Sequence, residues 1–242
     1  MDFSRVHFYR DPVIDVERVI AGVSEIFPEC KMDARDPIVI GAEQARISDV
    51  KQPFHSQPKE HEDFNLHGRS VKLYDGFEVQ RLFAQAIPEQ ENNLDRLHII
   101  FTGMLVCTFS EDDWRYHART VVCGTPCMIS VPGIVEAPAK PREFYFGLNL
   151  GLDAESAKKS VAGRFLDYGD DRISDAATSF ALQAMFFFLT DGESFCNDKT
   201  CRLFNAHWQE DLIRTLESSA LCQGHREIAD KFNCRLAGMK ST

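Results

Sequence analysis

Long apolar runs are what this sequence most plainly lacks. Its most apolar stretch, AMFFFL at residues 184–189, falls far short of the ~20 residues a helix needs to span a bilayer. The opening residues, MDFSRVHFYRDP, carry no apolar core of the signal-peptide kind. A cytoplasmic protein with no membrane partner is therefore expected. Positive charge is also in short supply. Lys and Arg number 27 against 37 Asp and Glu, a net charge of −10, and a surface of that sign repels phosphates, which excludes general nucleic-acid binding. No Gly/Ser-rich linker, internal repeat or low-complexity tract divides the chain, so residues 1–242 are read as a single domain.

What is present suffices for a core. Hydrophobic residues make up 44% and Phe alone occurs 19 times, in a chain long enough to need no disulfide staples. Eight cysteines in a reducing compartment are expected to be free or metal-bound.

Periodicity gives the order of elements. Residues 6–9 read as a strand closed by Asp11-Pro12, and 16–27 as a helix with apolar positions at 16, 19, 20, 23, 26 and 27. A second strand at Lys31–Arg35 completes a β-α-β start. The polar, His- and Pro-rich stretch 50–69 reads as a surface loop. Residues 75–87 read as an amphipathic helix with Phe77, Leu82, Phe83 and Ala86 inward, stopped by Pro88. Strands follow at 97–101, 115–123 and 127–131, with SEDDW at 110–114 as a turn. A proline-rich loop is expected over 132–143 and a strand over 144–150. Helices then occupy 154–162, 171–189, 205–218 and 226–235. Mixed α and β followed by helices is an α+β fold, with a mixed part over 1–151 around a central sheet and a helical part over 152–242.

Near the end of the chain stand Cys196 and Cys201, then twenty cysteine-free residues, then Cys222-x-x-His225. Two short-spaced pairs of soft ligands are what a tetrahedral zinc takes, and twenty residues leave room for one helix to bring the chain back. His207 is an alternative fourth ligand. Three buried apolar thiols are the plainer alternative. The helix before them places Ile173, Ala177, Phe180, Ala184, Phe187 and Phe188 on one broad face, with Gly192 suited to the left-handed C′ position. A catalytic metal helix needs histidines at i and i+4 with a carboxylate beside them. Here those ridges are Met and Phe, so the helix packs and cannot coordinate.

The run Gly192-x-x-Phe195-Cys196-x4-Cys201-Arg202-Leu203, with Cys222-x-x-His225 after it, resembles the archaemetzincin-type metallopeptidases. Their signature is HExxHxxGxxHC, four residues, CxM, and a later Cys-x-x-Cys. In that family the histidines hold a catalytic zinc, the glutamate is the general base, and four cysteines hold a second, structural zinc. Carried over residue by residue, the glycine falls on Gly192 and the cysteines on Cys196, Cys201 and Cys222, with His225 in place of the fourth. The catalytic histidines would fall on Met185, Leu189 and Phe195, the glutamate on Phe186 and the methionine on Leu203, none of which binds zinc or moves a proton. The longer phrases RLHIIFTGMLVCTF, DDWRYHAR, GIVEAPAKPREFYF, FLDYGDDR and CRLFNAHWQEDLI resemble an uncharacterised archaeal group labelled as metallopeptidases. The resemblance implies a distantly metzincin-like fold that keeps a structural zinc, lacks HExxH-type peptidase activity, and retains at most a groove for a peptide or protein partner.

Other clusters allow other readings. Arg115, His117 and Arg119 share a strand face, with Glu136 and Glu143 as expected partners. That row is either a cleft for a carboxylate ligand, lined by Arg115, Arg119 and Glu143, or a solvated face. His207 and Asp211 fall at i and i+4 of a helix expected to be capped by Asn205. An enzyme with a relocated site would draw on His117, His207, Glu210 and Glu136. A scaffold or oligomerising protein would need none of these. Cys123 and Cys127 read as a redox pair or, more simply, as structural thiols. His55, His61 and His67 offer a transient metal site.

Overall fold

The computed structural model describes residues 3–45, 64–66 and 69–239. The chain opens with β1 (Arg5–Tyr9), α1 (Val16–Ser24), β2 (Lys31–Arg35) and the single turn α2 (Ala42–Ala45). A hairpin, β3 (Phe64–Leu66) and β4 (Arg69–Val71), leads to β5 (Leu73–Asp75) and α3 (Gly76–Ala86). Then come β6 (Arg96–Thr102), β7 (Leu105–Ser110), β8 (Arg115–Ala118), β9 (Val121–Val122) and β10 (Cys127–Ser130). The rest is helical: α4 (Val131–Glu136), α5 (Arg142–Asn149), α6 (Ala154–Ser160), α7 (Ile173–Leu189), α8 (Gln209–Ser218) and α9 (Gln223–Met239). This is the α+β class, with the helices gathered toward the C-terminal end.

The main sheet has the order β2-β1-β6-β10-β9, parallel except for β9 at one edge. Strand alternation gives it two different faces. Val6 and Phe8 of β1 and Leu97, Ile99 and Phe101 of β6 enter a large core with α1, α4, α7, α8 and α9. That core joins residues from both halves of the chain, from Phe3 to Leu236. Phe27 packs on Phe186 of α7 and Phe232 of α9, with ring centroids 5.5 and 5.4 Å apart. A smaller sheet, β5-β7-β8, and α3 close the other face around Val79, Phe83, Ile100 and Met128.

Several local expectations need correction. The loop 132–143 and strand 144–150 are instead α4 and α5. Ser130 caps α4 by accepting from the Gly133 N–H at 2.9 Å, and Phe144 and Gly147 form the buried i, i+3 edge of α5 while Phe146 lies exposed. The alternating aromatics imitated a strand. Gly133 is required there, because a Cβ would meet the Arg119 carbonyl oxygen at 2.2 Å. In α3, Asp75 caps the Phe77 and Glu78 N–H groups, so Gly76, Val79, Leu82 and Phe83 face inward. Phe77 and Ala86 are exposed. Part of the 50–69 stretch is the β3–β4 hairpin; the remainder, with His55, His61 and His67, lies outside the described residues. α8 starts at Gln209, so Asn205 is not its cap and His207 precedes the helix. At the end of α7, Asp191 takes the left-handed C′ position (φ 53°), and Gly192, one residue on, donates back to the Phe187 carbonyl at 2.8 Å.

The second sheet face holds a polar network the sequence reading passed over. His7 Nδ1 lies 2.8 Å from Asp33 Oδ1, and its Nε2 lies 3.2 Å from an Arg35 nitrogen. A guanidinium only donates, so Nε2 accepts and Nδ1 carries the proton. His98 Nε2 donates to the Glu91 carbonyl at 3.0 Å, and its Nδ1 accepts from the Tyr9 hydroxyl at 2.9 Å. Arg35 also pairs with Glu91. Both imidazoles are buried, and both belong to one connected network. Burial pushes each ring below its ordinary value of 6.5, although Asp33 pulls His7 the other way. A lowered folded-state pKa means the unfolded chain binds the proton first, so stability falls as pH drops through the unfolded value. Denaturant unfolding between about pH 8 and pH 5 should show a loss on acidification that His98→Gln reduces. An unchanged slope in that variant would show that His98 does not contribute.

Candidate metal centre

After α7 the chain makes a compact turn-rich stretch that carries two of the cysteines. The Cys196 N–H donates to the Leu203 carbonyl at 2.8 Å and the Asn205 N–H to the Cys196 carbonyl at 3.2 Å. Cys201 N–H donates to Asp198 C=O at 3.0 Å. Arg202 N–H reaches the Ala220 carbonyl at 2.7 Å, tying this stretch to the segment beyond α8. Ser219 ends α8 in the left-handed region (φ 52°). The chain thereby turns back and delivers Cys222 to the mouth of α9 and His225 to its first turn.

Four ligand atoms converge as a result. Those of Cys196, Cys201, Cys222 and His225 all lie within 4.8 Å of one another. Cys196 Sγ is 3.9 Å from Cys222 Sγ, Cys201 Sγ is 3.8 Å from His225 Nδ1, and Cys222 Sγ is 3.0 Å from His225 Nδ1. The edge of a tetrahedron with ~2.3 Å metal–sulfur bonds is about 3.8 Å, so the two longer separations fit a shared ion, and all exceed a disulfide bond. Backbone donors already face the sulfurs: Asp198 N–H to Cys196 Sγ and Cys222 N–H to Cys201 Sγ, both at 3.4 Å. Such second contacts orient ligands and favour thiolate. Burial keeps His225 below its usual pKa, hence neutral as a ligand must be, and pushes the Cys201 thiol up to about 12. A cation among the sulfurs reverses that last effect. His225 stands edge-on to Phe186, with centroids 5.1 Å apart.

Of the four residues that the resemblance would set at catalytic positions, three are packing residues. Met185 and Phe186 are fully buried, Leu189 packs against the same core, and Phe195 is 44% exposed. Leu203 is fully buried.

The other expected sites do not form a cluster of this kind. Among the described residues the Cys196–His225 group is the one set of three or more His, Cys, Asp or Glu ligand atoms so gathered. His117 and Arg115 both pair with Asp113 of their own hairpin, His117 at 2.9 Å, and Arg119 donates to Thr108 at 2.7 Å. Glu136 and Glu143 are therefore not partners of the cationic row. Glu143 and Glu210 both bind Arg164, at 3.1 and 2.6 Å. His207 is exposed, ahead of α8, and its carbonyl accepts from the Ala139 N–H at 2.8 Å. Glu136 forms a buried ion pair with Lys140 at 2.9 Å, their side chains 8% and 3% exposed. Lys140 also lies over the Phe144 and Phe165 rings.

Residues 2–232 match the model of a family described as a "Probable metallopeptidase family". The chain belongs to that family. No curated protein and no solved structure matches it. The Cys/His group is the set of possible metal ligands gathered among the described residues, and the candidate carboxylates Glu136, Glu143 and Glu210 are paired with Lys140 or Arg164.

The Glu136–Lys140 pair tests the last point. Removing one partner of a buried pair leaves the other charge uncompensated, at about 3–5 kcal/mol. Lys140→Met should cost about that much in denaturant unfolding, and the double variant with Glu136→Gln should recover part of it. Near-wild-type stability in Lys140→Met would free Glu136 for another role.

Proposed function

We propose that this protein is a member of its metallopeptidase family that holds one structural zinc on Cys196, Cys201, Cys222 and His225 and has no HExxH-type peptidase activity. The observation that carries this is the convergence of four soft ligand atoms within 4.8 Å, set beside Met185, Phe186, Leu189 and Phe195 where an archaemetzincin-like site would need histidines and a glutamate. Three thiolates and one imidazole favour zinc over hard cations, which take oxygen ligands. Four protein ligands also fill a tetrahedral ion and leave no position for a water nucleophile. The zinc's role is then to fasten the stretch after α7, the return beyond α8 and the start of α9, so that binding energy is folding energy.

Such a site belongs in the cytoplasm, where thiols stay reduced, and no described helix is long and apolar enough to cross a membrane. The remaining role is to bind a peptide or protein partner without cutting it. The main sheet ends in β2 on one side and β9 on the other, and edge strands are where an extended peptide is added.

Metal content is the test, by plasma mass spectrometry on protein purified without a metal-affinity step. About one zinc per chain is expected. It should be lost in the Cys196→Ser/Cys201→Ser variant together with a fall in Tm of roughly 10 °C or more, since each kcal/mol is worth ~2–4 °C in a chain of this size. No zinc at all would overturn the structural-site reading. A second metal that persists in the variant, with peptidase activity, would overturn the non-catalytic one.

A further inference from the structure

Two cysteines at the β9–β10 hairpin take no part in the metal cluster. Val122 stands opposite Met128 and Val121 opposite Ile129. One step further, the same register sets Cys123 opposite Cys127 across Gly124, Thr125 and Pro126. The Ser130 N–H donates to the Thr120 carbonyl at 2.8 Å. Antiparallel pairs alternate, so 120/130 and 122/128 are hydrogen-bonded pairs and 123/127 is a non-hydrogen-bonded one. That is the closer class, with Cα atoms about 4.5 Å apart, at the near end of the ~4.4–6.8 Å range that a disulfide spans.

The side chains agree with the backbone. The Cys123 thiol neighbours that of Cys127 and the Ser194 side chain. Cys127 Sγ lies 3.4 Å from the Gly124 nitrogen and 3.2 Å from its carbonyl oxygen. From outside, Gln80 Nε2 donates to the Cys123 carbonyl at 3.2 Å and to the Pro126 carbonyl at 2.7 Å, which fixes both ends of the loop. Cys127 is fully buried and Cys123 half-buried. One sulfur is therefore reachable and the other shielded directly behind it, the arrangement of an attacking and a resolving thiol.

We propose that Cys123 and Cys127 are a redox-active dithiol that closes to a cross-strand disulfide by exchange with a low-molecular-weight disulfide of the glutathione type. Cys123 loses its proton and its thiolate attacks one sulfur of R–S–S–R. The R–S–S–R bond breaks, one thiolate leaves and takes up that proton, and Cys123 carries the mixed disulfide. Cys127 then loses its proton and attacks the Cys123 sulfur, expelling the second R–S⁻, which is protonated in turn. Two protein thiols are oxidised and one disulfide is reduced to two thiols. The order of attack fits the electrostatics: the neighbouring Cys127 thiol holds Cys123 below the usual thiol range, and burial holds Cys127 above it.

The test uses the full-length, metal-loaded protein equilibrated in glutathione buffers, quenched with acid, alkylated and digested with trypsin. The peptide 120–142 carries these two cysteines and no other, so oxidation at the metal cluster reads out elsewhere. In oxidised buffer that peptide should lose two hydrogens in mass, resist alkylation, and regain both thiols on return to reduced buffer. Cys127→Ser should instead leave a glutathione adduct on Cys123, and Cys123→Ser should show neither adduct nor disulfide while folded. Two alkylatable thiols at every buffer ratio, an unresolved adduct in the wild type, or a disulfide only after unfolding would each overturn the proposal.

Discussion

The burial of α7 is the constraint on which the rest of the structure depends. From Ile173 to Phe186 every side chain of this helix but Asp175, which pairs with Arg18, is buried, because the main sheet, α1, α4 and α8 pack against it. Each fully buried Leu, Met or Phe contributes on the order of 1.5–3 kcal/mol. Met185, Phe186 and Leu182, all fully buried, thus supply a large part of what holds the two halves of the chain together. The same burial fixes what the helix cannot do. A histidine or glutamate at those positions would have to be desolvated without a partner, at several kcal/mol. The close packing of this helix and its want of metal-ligating side chains are one property seen from two sides.

A core helix of this kind creates a problem at its end. Beyond Thr190 the chain has few large apolar residues, and residues 191–205 form turns rather than elements. The Cys/His cluster sits there. Its backbone is already shaped by local bonds, Cys196 with Leu203 and Arg202 with Ala220, and the ligand atoms lie together on that frame. Phe186 links the two devices, touching Phe27 in the core and His225 in the cluster.

How far the sequence foretold this depends on where the signal was local. The strands at β1, β2, β6 and β10 and the helices α1, α6 and α7 were legible from periodicity and stop residues. The convergence of Cys196, Cys201, Cys222 and His225 was legible from spacing, since two short-spaced pairs separated by one returning helix can meet. α4 and α5 were misread because Phe144, Phe146, Leu148 and Leu150 alternate like a strand. What decides them is the Ser130 cap and a close approach at Gly133, and both depend on where β8 and β9 lie. The ion partners of Arg115 and His117 were misassigned for a related reason. A hairpin turn, through Asp113, satisfies them more cheaply than a distant loop can. The paired imidazoles were missed although a signal was there. A histidine alternates with large apolar residues in both VHFY and LHII, and a polar residue in the middle of a buried strand needs a partner on the neighbouring one.

That last pair shows why the two faces of the main sheet differ. The α7 face is closed by helices long enough to bury only apolar groups, so no polar side chain of β1 or β6 points there. Part of the opposite face is covered by the short turn Glu89–Glu91 and flanked in the sheet by β2, a half-exposed edge strand. Neither supplies enough apolar surface, and both supply bonding groups: the Glu91 carbonyl and carboxylate, Asp33 and Arg35. His7 and His98 are the residues whose size fills that thin layer while both ring nitrogens find partners. A phenylalanine would fill the space but take one partner from Asp33 and the imidazole acceptor from Arg35, and a lysine would bring a charge with no place among Arg35 and Arg96. The layer is specific because its bonds are directional. It is sensitive to acid because burial disfavours the charged rings, and because the two acceptor nitrogens, His7 Nε2 facing Arg35 and His98 Nδ1 facing Tyr9, need their imidazoles neutral.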